Sequence, residues 1–206
     1  TARNLNHLQQ IADARKALMS TGGMSRDGET LLANLQSDDR VMQLKATYAL
    51  GRGGHVEEMV EAMQTLGEDE FLRWHLTQAL VEIGEPAVPA LIQAMRSKDE
   101  LNAQQAIDSL RQMGPSAVDA LPHLITMIED ETVSADLRES AVWCVENLGS
   151  PAHEAVRALV GILTNDEPDQ LVAASARALR AIGPAARAAE PALIEILRSK
   201  EQMDQK

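Results

Sequence analysis

The chain has few aromatic residues and a single cysteine. Its 206 residues include two Trp, one Tyr, one Phe and one Cys, although 45% of the residues are apolar. One cysteine excludes an internal disulfide and any CxxC metal or redox motif. Strands favour aromatic and β-branched side chains, whereas this core must be built mainly from Leu, Ala, Val, Ile and Met. The composition therefore predicts a folded, helical protein.

Basic residues and long hydrophobic runs are also scarce. Asp and Glu number 31 against 19 Lys and Arg, and the formal net charge is −12. Phosphate binding needs clustered Lys and Arg, so we expect no nucleic-acid partner. The acidic excess lies in the middle of the chain and would steer a protein with a basic patch there; the alternative is a merely solvated surface. No apolar run approaches the ~20 residues that cross a bilayer, so we expect no membrane insertion.

Five glycines mark an internal repeat. They are Gly54, Gly84, Gly114, Gly149 and Gly183. Residues one, four, five and eight positions before each glycine are almost all small or apolar, and these offsets share one face of an α-helix. A second apolar segment follows each glycine, which suits a left-handed helix C-cap. The pattern predicts helix, tight turn, helix, in pairs that stack to bury a continuous core.

Three stretches carry a family resemblance. They read "LRWHLTQALVEIGEPAVPALIQAM", "LRESAVWCVENLGSPAHEAVRALVGIL" and "LVAASARALRAIGPAARAAEPALIEIL", and they resemble HEAT repeats, more narrowly the bacterial PBS-lyase-type HEAT-like repeats. The resemblance implies an all-α, right-handed α-α superhelix: a HEAT-like solenoid of about five helix pairs with an N-terminal capping helix. We expect the solenoid over 29–200, an amphipathic helix and loop over 1–28, and a polar tail over 201–206. Residues 29–36 look like the second helix of a degenerate half-repeat.

Catalytic and metal-binding motifs are missing from the sequence. Deoxyhypusine hydroxylases, which have similar repeats, bind iron through several His-Glu pairs, but this chain offers only His153-Glu154. Bilin lyases also use such repeats, yet fold alone does not carry function. Cys144 occupies a core position and is expected to be a buried, inert thiol. We therefore predict no enzymatic activity, no cofactor and no metal.

One candidate partner-binding surface is the outer face of the first helices. Positions six and ten before the glycines point away from the predicted core. They hold three of the four aromatics, and Trp and Tyr dominate binding hot spots. We expect a docking stripe on this convex side formed by Leu44, Tyr48, Trp74 and Trp143. The alternative is that neighbouring helices cover these side chains.

Two other surfaces are also candidates. The second helices would line a concave groove whose first helix carries Glu57, Glu58 and Glu61, although that face could be only solvated. The last repeat is rich in alanine and could accept another helix pair, while helix propensity also explains the alanines. Ten further positions belong to the predicted groove: Gln64, Gln93, Arg96, Thr126, Glu129, Glu154, Arg157, Arg187, Glu190 and Glu195.

The sequence thus predicts a non-catalytic protein–protein interaction scaffold or adaptor. Its alternatives are a structural subunit that promotes assembly of a larger complex and, third, a HEAT-like enzyme such as a bilin lyase. We expect a soluble protein, either cytoplasmic or exported to the periplasm after removal of a leader. The identity of the partner is not encoded in any motif.

Overall fold

The computed structural model describes residues 27–65, 69–165, 167–191 and 193–194. The helix predicted over 3–19 and the tail over 201–206 lie outside these residues. Every element in the described part is an α-helix or a 3-10 helix, and no described residue is in a strand. The predicted all-α fold of repeated helix pairs is confirmed. The chain divides into two compact units, Thr1–Ala90 and Leu91–Lys206, and each is described by itself.

Unit 1 begins with a short helix that packs on two later ones. Its helices are α1 (Gly28–Leu35), α2 (Arg40–Gly53), α3 (Val56–Thr65) and α4 (Glu70–Ile83), and a 3-10 turn, Glu85–Ala87, follows α4. Helix α1 contacts α2 and α3, as the second helix of a half-repeat would. The first helices α2 and α4 pack against each other. The boundary between the units falls within α5 (Val88–Ala94).

Unit 2 repeats the arrangement three times. Its first helices are α6 (Glu100–Met113), α8 (Ala135–Leu148) and α10 (Asp169–Ile182). Its second helices include α7 (Leu121–Glu129) and α9 (Val156–Thr164), each preceded by a 3-10 segment, Gly114–Ala120 or Ser150–Ala155. A further 3-10 segment, Gly183–Ala189, follows α10. Helix α8 packs between α6 and α10.

The core contains the helix positions that were predicted from their spacing before the five glycines. The residues four and eight positions before each glycine are buried in all five repeats. These ten residues are Leu50, Ala46, Leu80, Leu76, Leu110, Ala106, Val145, Ala141, Leu179 and Ser175. Aliphatic and small side chains on one helical face therefore suffice to join the pairs, because stacking removes that face from water.

The glycines end the first helices in two different ways. Gly54 is left-handed, with φ 71° and ψ 26°, as the C-cap prediction requires. The other four also have positive φ, but their ψ lies between −139° and −133°. That region is accessible to glycine almost alone. In these four turns the chain passes into a 3-10 segment with proline in its first turn, whereas Gly54 leads directly into α3.

The starts of the first helices are capped and tied to the preceding repeat. Asp69 caps α4 through the amide of Leu72 and forms an ion pair with Arg40 on α2. Ser134 caps α8 and is hydrogen-bonded to Glu100 on α6. In each unit, the residue that begins one first helix (Arg40 of α2 or Glu100 of α6) thus bonds the N-cap residue of the following first helix. These bonds set the register of neighbouring helices.

Candidate functional site

Trp74 is the exposed aromatic side chain of unit 1. It lies on α4, and 51% of its surface is accessible. Its ring meets the ring of His75 edge to face, with centroids 4.8 Å apart at 83°. His75 is 3% exposed, so the exposed indole is supported by a buried neighbour. A large apolar side chain held in this way has the character of a binding anchor.

A charged and aromatic cluster continues from His75 to the start of α2. Phe71 contacts His75 in a T-shaped pair with centroids 4.6 Å apart. The guanidinium carbon of Arg40 lies 5.0 Å from the centroid of the Phe71 ring, a cation–π contact. Burial opposes ionisation of Asp69, but hydrogen bonds from Arg40 and the Leu72 amide outweigh it and lower the pKa of this carboxyl. The cluster therefore keeps its ion pair at neutral pH.

Sequence reasoning singled out Trp74 but not the residues that support it. Phe71 and His75 are one helical turn apart, which is a readable signal. Arg40 lies 29 positions before Asp69, so only an alignment of successive repeats could have predicted that the two residues meet. Neither the Phe71–His75 contact nor the Arg40–Asp69 ion pair was predicted.

The predicted position of Leu44 in the docking stripe is wrong. We expected it on the outer face, but it is 1% exposed. The reason is that α2 contacts α1, α3 and α4, so little of its circumference remains open. The helical wheel treated α2 like the other first helices and did not include α1. Leu44 is a core residue.

Tyr48 and Trp143 are half-buried rather than fully exposed. Tyr48 is on α2 of unit 1, whereas Trp143 is on α8 of unit 2. The indole nitrogen of Trp143 is buried and has no hydrogen-bond partner among the described residues. Trp74 is thus the member of the predicted stripe that offers the largest accessible surface.

Helix α3 presents the predicted acidic side chains of unit 1. Glu57 and Glu61 are exposed, and Glu58 is half-buried. Glu58 Oε1 lies 3.2 Å from His55 Nδ1. The apolar side of the same helix, with Met59, Val60 and Met63, is buried. Glu57 and Glu61 therefore present negative charge to solvent.

Unit 2 has an open cleft between the end of α5 and α7. The cleft holds about 270 Å3 and is lined by Met95, Met127 and Leu137 among others. At its rim Arg96 Nη2 lies 2.7 Å from His123 Nδ1. Of the residues proposed for the groove, Arg96 and Thr126 line this cleft. The pair His153-Glu154 lies in the 3-10 segment before α9, not in a second helix, and both residues are exposed.

The neighbouring repeat junction of unit 2 is closed by an ion pair. Arg138 on α8 donates two hydrogen bonds to Glu167, at 2.9 and 2.6 Å, and its Nε donates to the Ile128 carbonyl. The two side chains are 8% and 11% exposed. With its donors used in this way, Arg138 is a structural residue on α8 that bonds both α7 and the loop before α10.

The one thiol is buried against the core. Cys144 is 0% exposed, and burial raises its pKa to about 12. The predicted burial of this thiol is confirmed. Within the described ranges, no group of three or more His, Cys, Asp and Glu is placed to hold a metal ion. No described helix has the length and apolar character to span a membrane.

Comparisons with known proteins agree with the repeat. A family model described as HEAT repeats matches residues 56–144. A HEAT repeat-containing taxis protein of Halobacterium salinarum is 31% identical over 175 residues, covering 75% of this chain and 40% of that protein. The chain thus spans about two fifths of the length of this relative.

Two solved structures are also similar. The crystal structure of an engineered protein has 22% identity and a TM-score of 0.48, covering 84% of this chain and 85% of that one. Computationally designed armadillo repeat proteins for modular peptide recognition have 14% identity and a TM-score of 0.47, covering 82% of this chain and 91% of theirs.

Proposed function

Because this chain is a HEAT-repeat protein, we propose that it works as a non-catalytic adaptor that binds another protein through unit 1. HEAT repeats mediate protein interactions. The observation that carries it is Trp74, a large apolar side chain that is 51% exposed and braced by His75. Hot spots of this type supply most of the binding energy at an interface.

The chemistry of the partner is proposed from the acidic side chains of unit 1. Asp69 and Glu70 begin the helix that carries Trp74, and Glu57 and Glu61 are exposed on α3. An apolar anchor on an acidic unit favours a partner that combines an apolar or cationic side chain with basic residues. A Lys or Arg could also lie over the exposed indole face, which attracts cations. We therefore propose a basic protein segment as the ligand.

The test is a quantitative binding assay on a partner identified from native extract. Trp74→Ala is expected to weaken binding at least ~30-fold, because hot-spot truncations cost roughly 2 kcal/mol or more. The matched control is Leu101→Ala, since Leu101 in unit 2 is 43% exposed; it should leave the affinity unchanged. Far-UV circular dichroism verifies that both variants are folded. Equal affinity of the Trp74→Ala variant and the wild type would refute the site.

A second candidate is suggested by the taxis protein that this chain resembles. Under it, the bound protein would belong to the machinery of directed movement. We expect loss of the gene to impair movement up an attractant gradient without slowing growth. Normal tactic behaviour of the deletion strain would exclude this role and leave the adaptor proposal unaffected.

A further inference from the structure

The cleft between the end of α5 and α7 has an apolar floor. Met95 and Leu137 in its lining are buried, and Met127 and Val133 are half-buried. Its lining residues all lie between positions 95 and 137, within unit 2. At about 270 Å3 the cleft is smaller than the ~300–1,000 Å3 of small-molecule and cofactor sites. Its size therefore suits one large side chain of a peptide, and methionines adapt to the shape of such a ligand.

The cleft lies where α5 ends. Helix α5 has seven residues, whereas α7 has nine. Beyond Ala94 the chain tightens, because the amides of Arg96 and Ser97 donate to carbonyls three residues back, at 3.2 and 3.0 Å. Bonds of this 3-10 type satisfy the last carbonyls of a helix. The tight turn puts the Arg96 side chain at the rim of the cleft, beside α7.

Arg96 is a cation with which no described carboxylate forms an ion pair. Its Nη2 lies 2.7 Å from Nδ1 of His123, and because a guanidinium can only donate, the imidazole is the acceptor. At the next junction, by contrast, Arg138 is paired with Glu167. A guanidinium has five donors in a planar fork that matches a carboxylate. Arg96 therefore keeps donors for an anionic ligand.

Asp130 is an acidic side chain in the lining of the same cleft. Its Oδ1 accepts hydrogen bonds from the amide and the hydroxyl of Thr132, at 2.9 and 2.6 Å. The bond from the hydroxyl is the main reason why the pKa of Asp130 is lowered. This carboxylate is satisfied within its own loop and would repel a second one. The Arg96 side of the cleft is therefore the place for an acidic group of the ligand.

We propose that this cleft binds an acidic peptide segment of another protein, with an aliphatic side chain on the apolar floor and a neighbouring Asp or Glu at Arg96. The floor supplies burial, and the guanidinium supplies orientation through charge-assisted hydrogen bonds. The negative charge of the chain opposes such a ligand mainly at long range, since salt screens it beyond ~8 Å at ~0.15 M. The cleft and the Trp74 site are independent, so either assignment can fail alone.

The test uses three synthetic hexapeptides with blocked ends. Their central pairs are Leu-Glu, Leu-Lys and Ala-Glu in an otherwise identical Gly/Ser sequence. They are titrated at ~0.15 M salt into the full chain, which carries 13C in its methionine methyl groups. The Leu-Glu peptide should bind saturably, and the other two should each bind at least ~10-fold more weakly, because each loses either the charge-assisted bond or the apolar contact.

The methionine methyl signals show by NMR where a peptide binds. Those of Met95 and Met127 should move with the Leu-Glu peptide, and Met95→Leu and Met127→Leu variants assign them. Met59 and Met63, buried in unit 1, serve as internal controls whose signals should stay in place.

Arg96→Gln tests the guanidinium, and Arg157→Gln is the matched control. Both arginines are exposed, but Arg157 lines a different cleft. Arg96→Gln should abolish the preference for the Leu-Glu over the Leu-Lys peptide, and Arg157→Gln should preserve it. Far-UV circular dichroism verifies that both variants are folded.

Three results would overturn the proposal: no saturable shift at Met95 and Met127, equal affinity of the wild type for the Leu-Glu and Leu-Lys peptides, or an equal effect of the two arginine substitutions. Tighter binding of the Leu-Lys peptide would assign the cleft to a basic segment. Signals that move with protein concentration alone would assign it to a second copy of the chain. Either of these also overturns it.

Discussion

The thiol of Cys144 should make the stability of the protein depend on pH above neutrality. Its pKa is raised from 9.0 to about 12 by burial, so the folded state keeps a proton that the unfolded state loses. Stability is therefore unaffected well below pH 9 and falls as the pH rises from about 9 towards 12. We expect Cys144→Ala to flatten this part of the pH profile, measured by urea unfolding.

Reactivity of the same thiol gives an independent check. The thiolate is the nucleophile, so iodoacetamide at pH 8 should label Cys144 in urea and not in the folded protein. Labelling of the folded protein at the rate of a free thiol would contradict the buried position.

Leu44 and Leu101 provide a matched pair for the correction to the predicted stripe. Leu44 is 1% exposed and Leu101 is 43% exposed. Leu44→Ala should lower the free energy of unfolding by about 2–5 kcal/mol, because it leaves a cavity. Leu101→Ala should change it by less than about 0.5 kcal/mol. Chemical denaturation measures both, and similar values would mean that Leu44 is accessible after all.

At the scale of elements, two ion pairs of unit 2 that link a first helix to a neighbouring segment differ in burial. Arg138–Glu167 is nearly buried, whereas Arg177 and Glu146 are 46% and 27% exposed. Glu167→Gln leaves an uncompensated guanidinium in the interior and should cost about 3–5 kcal/mol of unfolding free energy. Glu146→Gln should cost less than about 1 kcal/mol.

The double variant Arg138→Met/Glu167→Leu separates the charge from the packing. Removing both charges avoids the unpaired group, so it should be less destabilised than Glu167→Gln. A double variant that is the more destabilised of the two would show that the pair itself, rather than the avoidance of an unpaired charge, holds the loops together.

At the scale of the whole molecule, the net charge of −12 should raise the rate constant for association with a basic partner. Salt shortens the Debye length from ~10 Å at 0.1 M to ~3 Å at 1 M, so the association rate should fall steeply over this range. Glu57→Lys/Glu61→Lys should lower the rate by roughly tenfold at low salt with little change in the dissociation rate. Stopped-flow fluorescence measures both rates.

A control with the same change in net charge tests whether position matters. Asp119 and Glu131 are both exposed in unit 2, and Asp119→Lys/Glu131→Lys should slow association much less. If both double variants slow it equally, the effect belongs to total charge and not to the acidic face of α3.

Much of the fold was readable from the five glycines. Their spacing located the ends of the first helices, and the residues four and eight positions earlier proved to be buried throughout. The second helices were less well predicted, because 3-10 segments precede α5, α7 and α9. Pro89 and Pro122, second in their α-helices, lack an amide proton and clash with the carbonyl four residues earlier. They help to confine the α-helix to the residues beyond them.

The candidate site was only partly readable. The exposure of Trp74 was predicted because aromatics are scarce and its offset from the glycine lies outside the core positions. Leu44 was misplaced, and the support of Trp74 by His75, Phe71 and Arg40 was missed. A helical wheel describes one helix, whereas burial also depends on which neighbours pack around it.

The sequence by itself determined the helix-pair repeat, its register and the face of each first helix that enters the core. These follow from periodicity, which is a local property of a helix of 3.6 residues per turn. Only the tertiary structure decided that Leu44 is buried on a helix that contacts α1, and that Arg40 and Asp69 meet. Those outcomes depend on which helices come to lie side by side, and the same apolar pattern can be buried or exposed according to the neighbour that it meets.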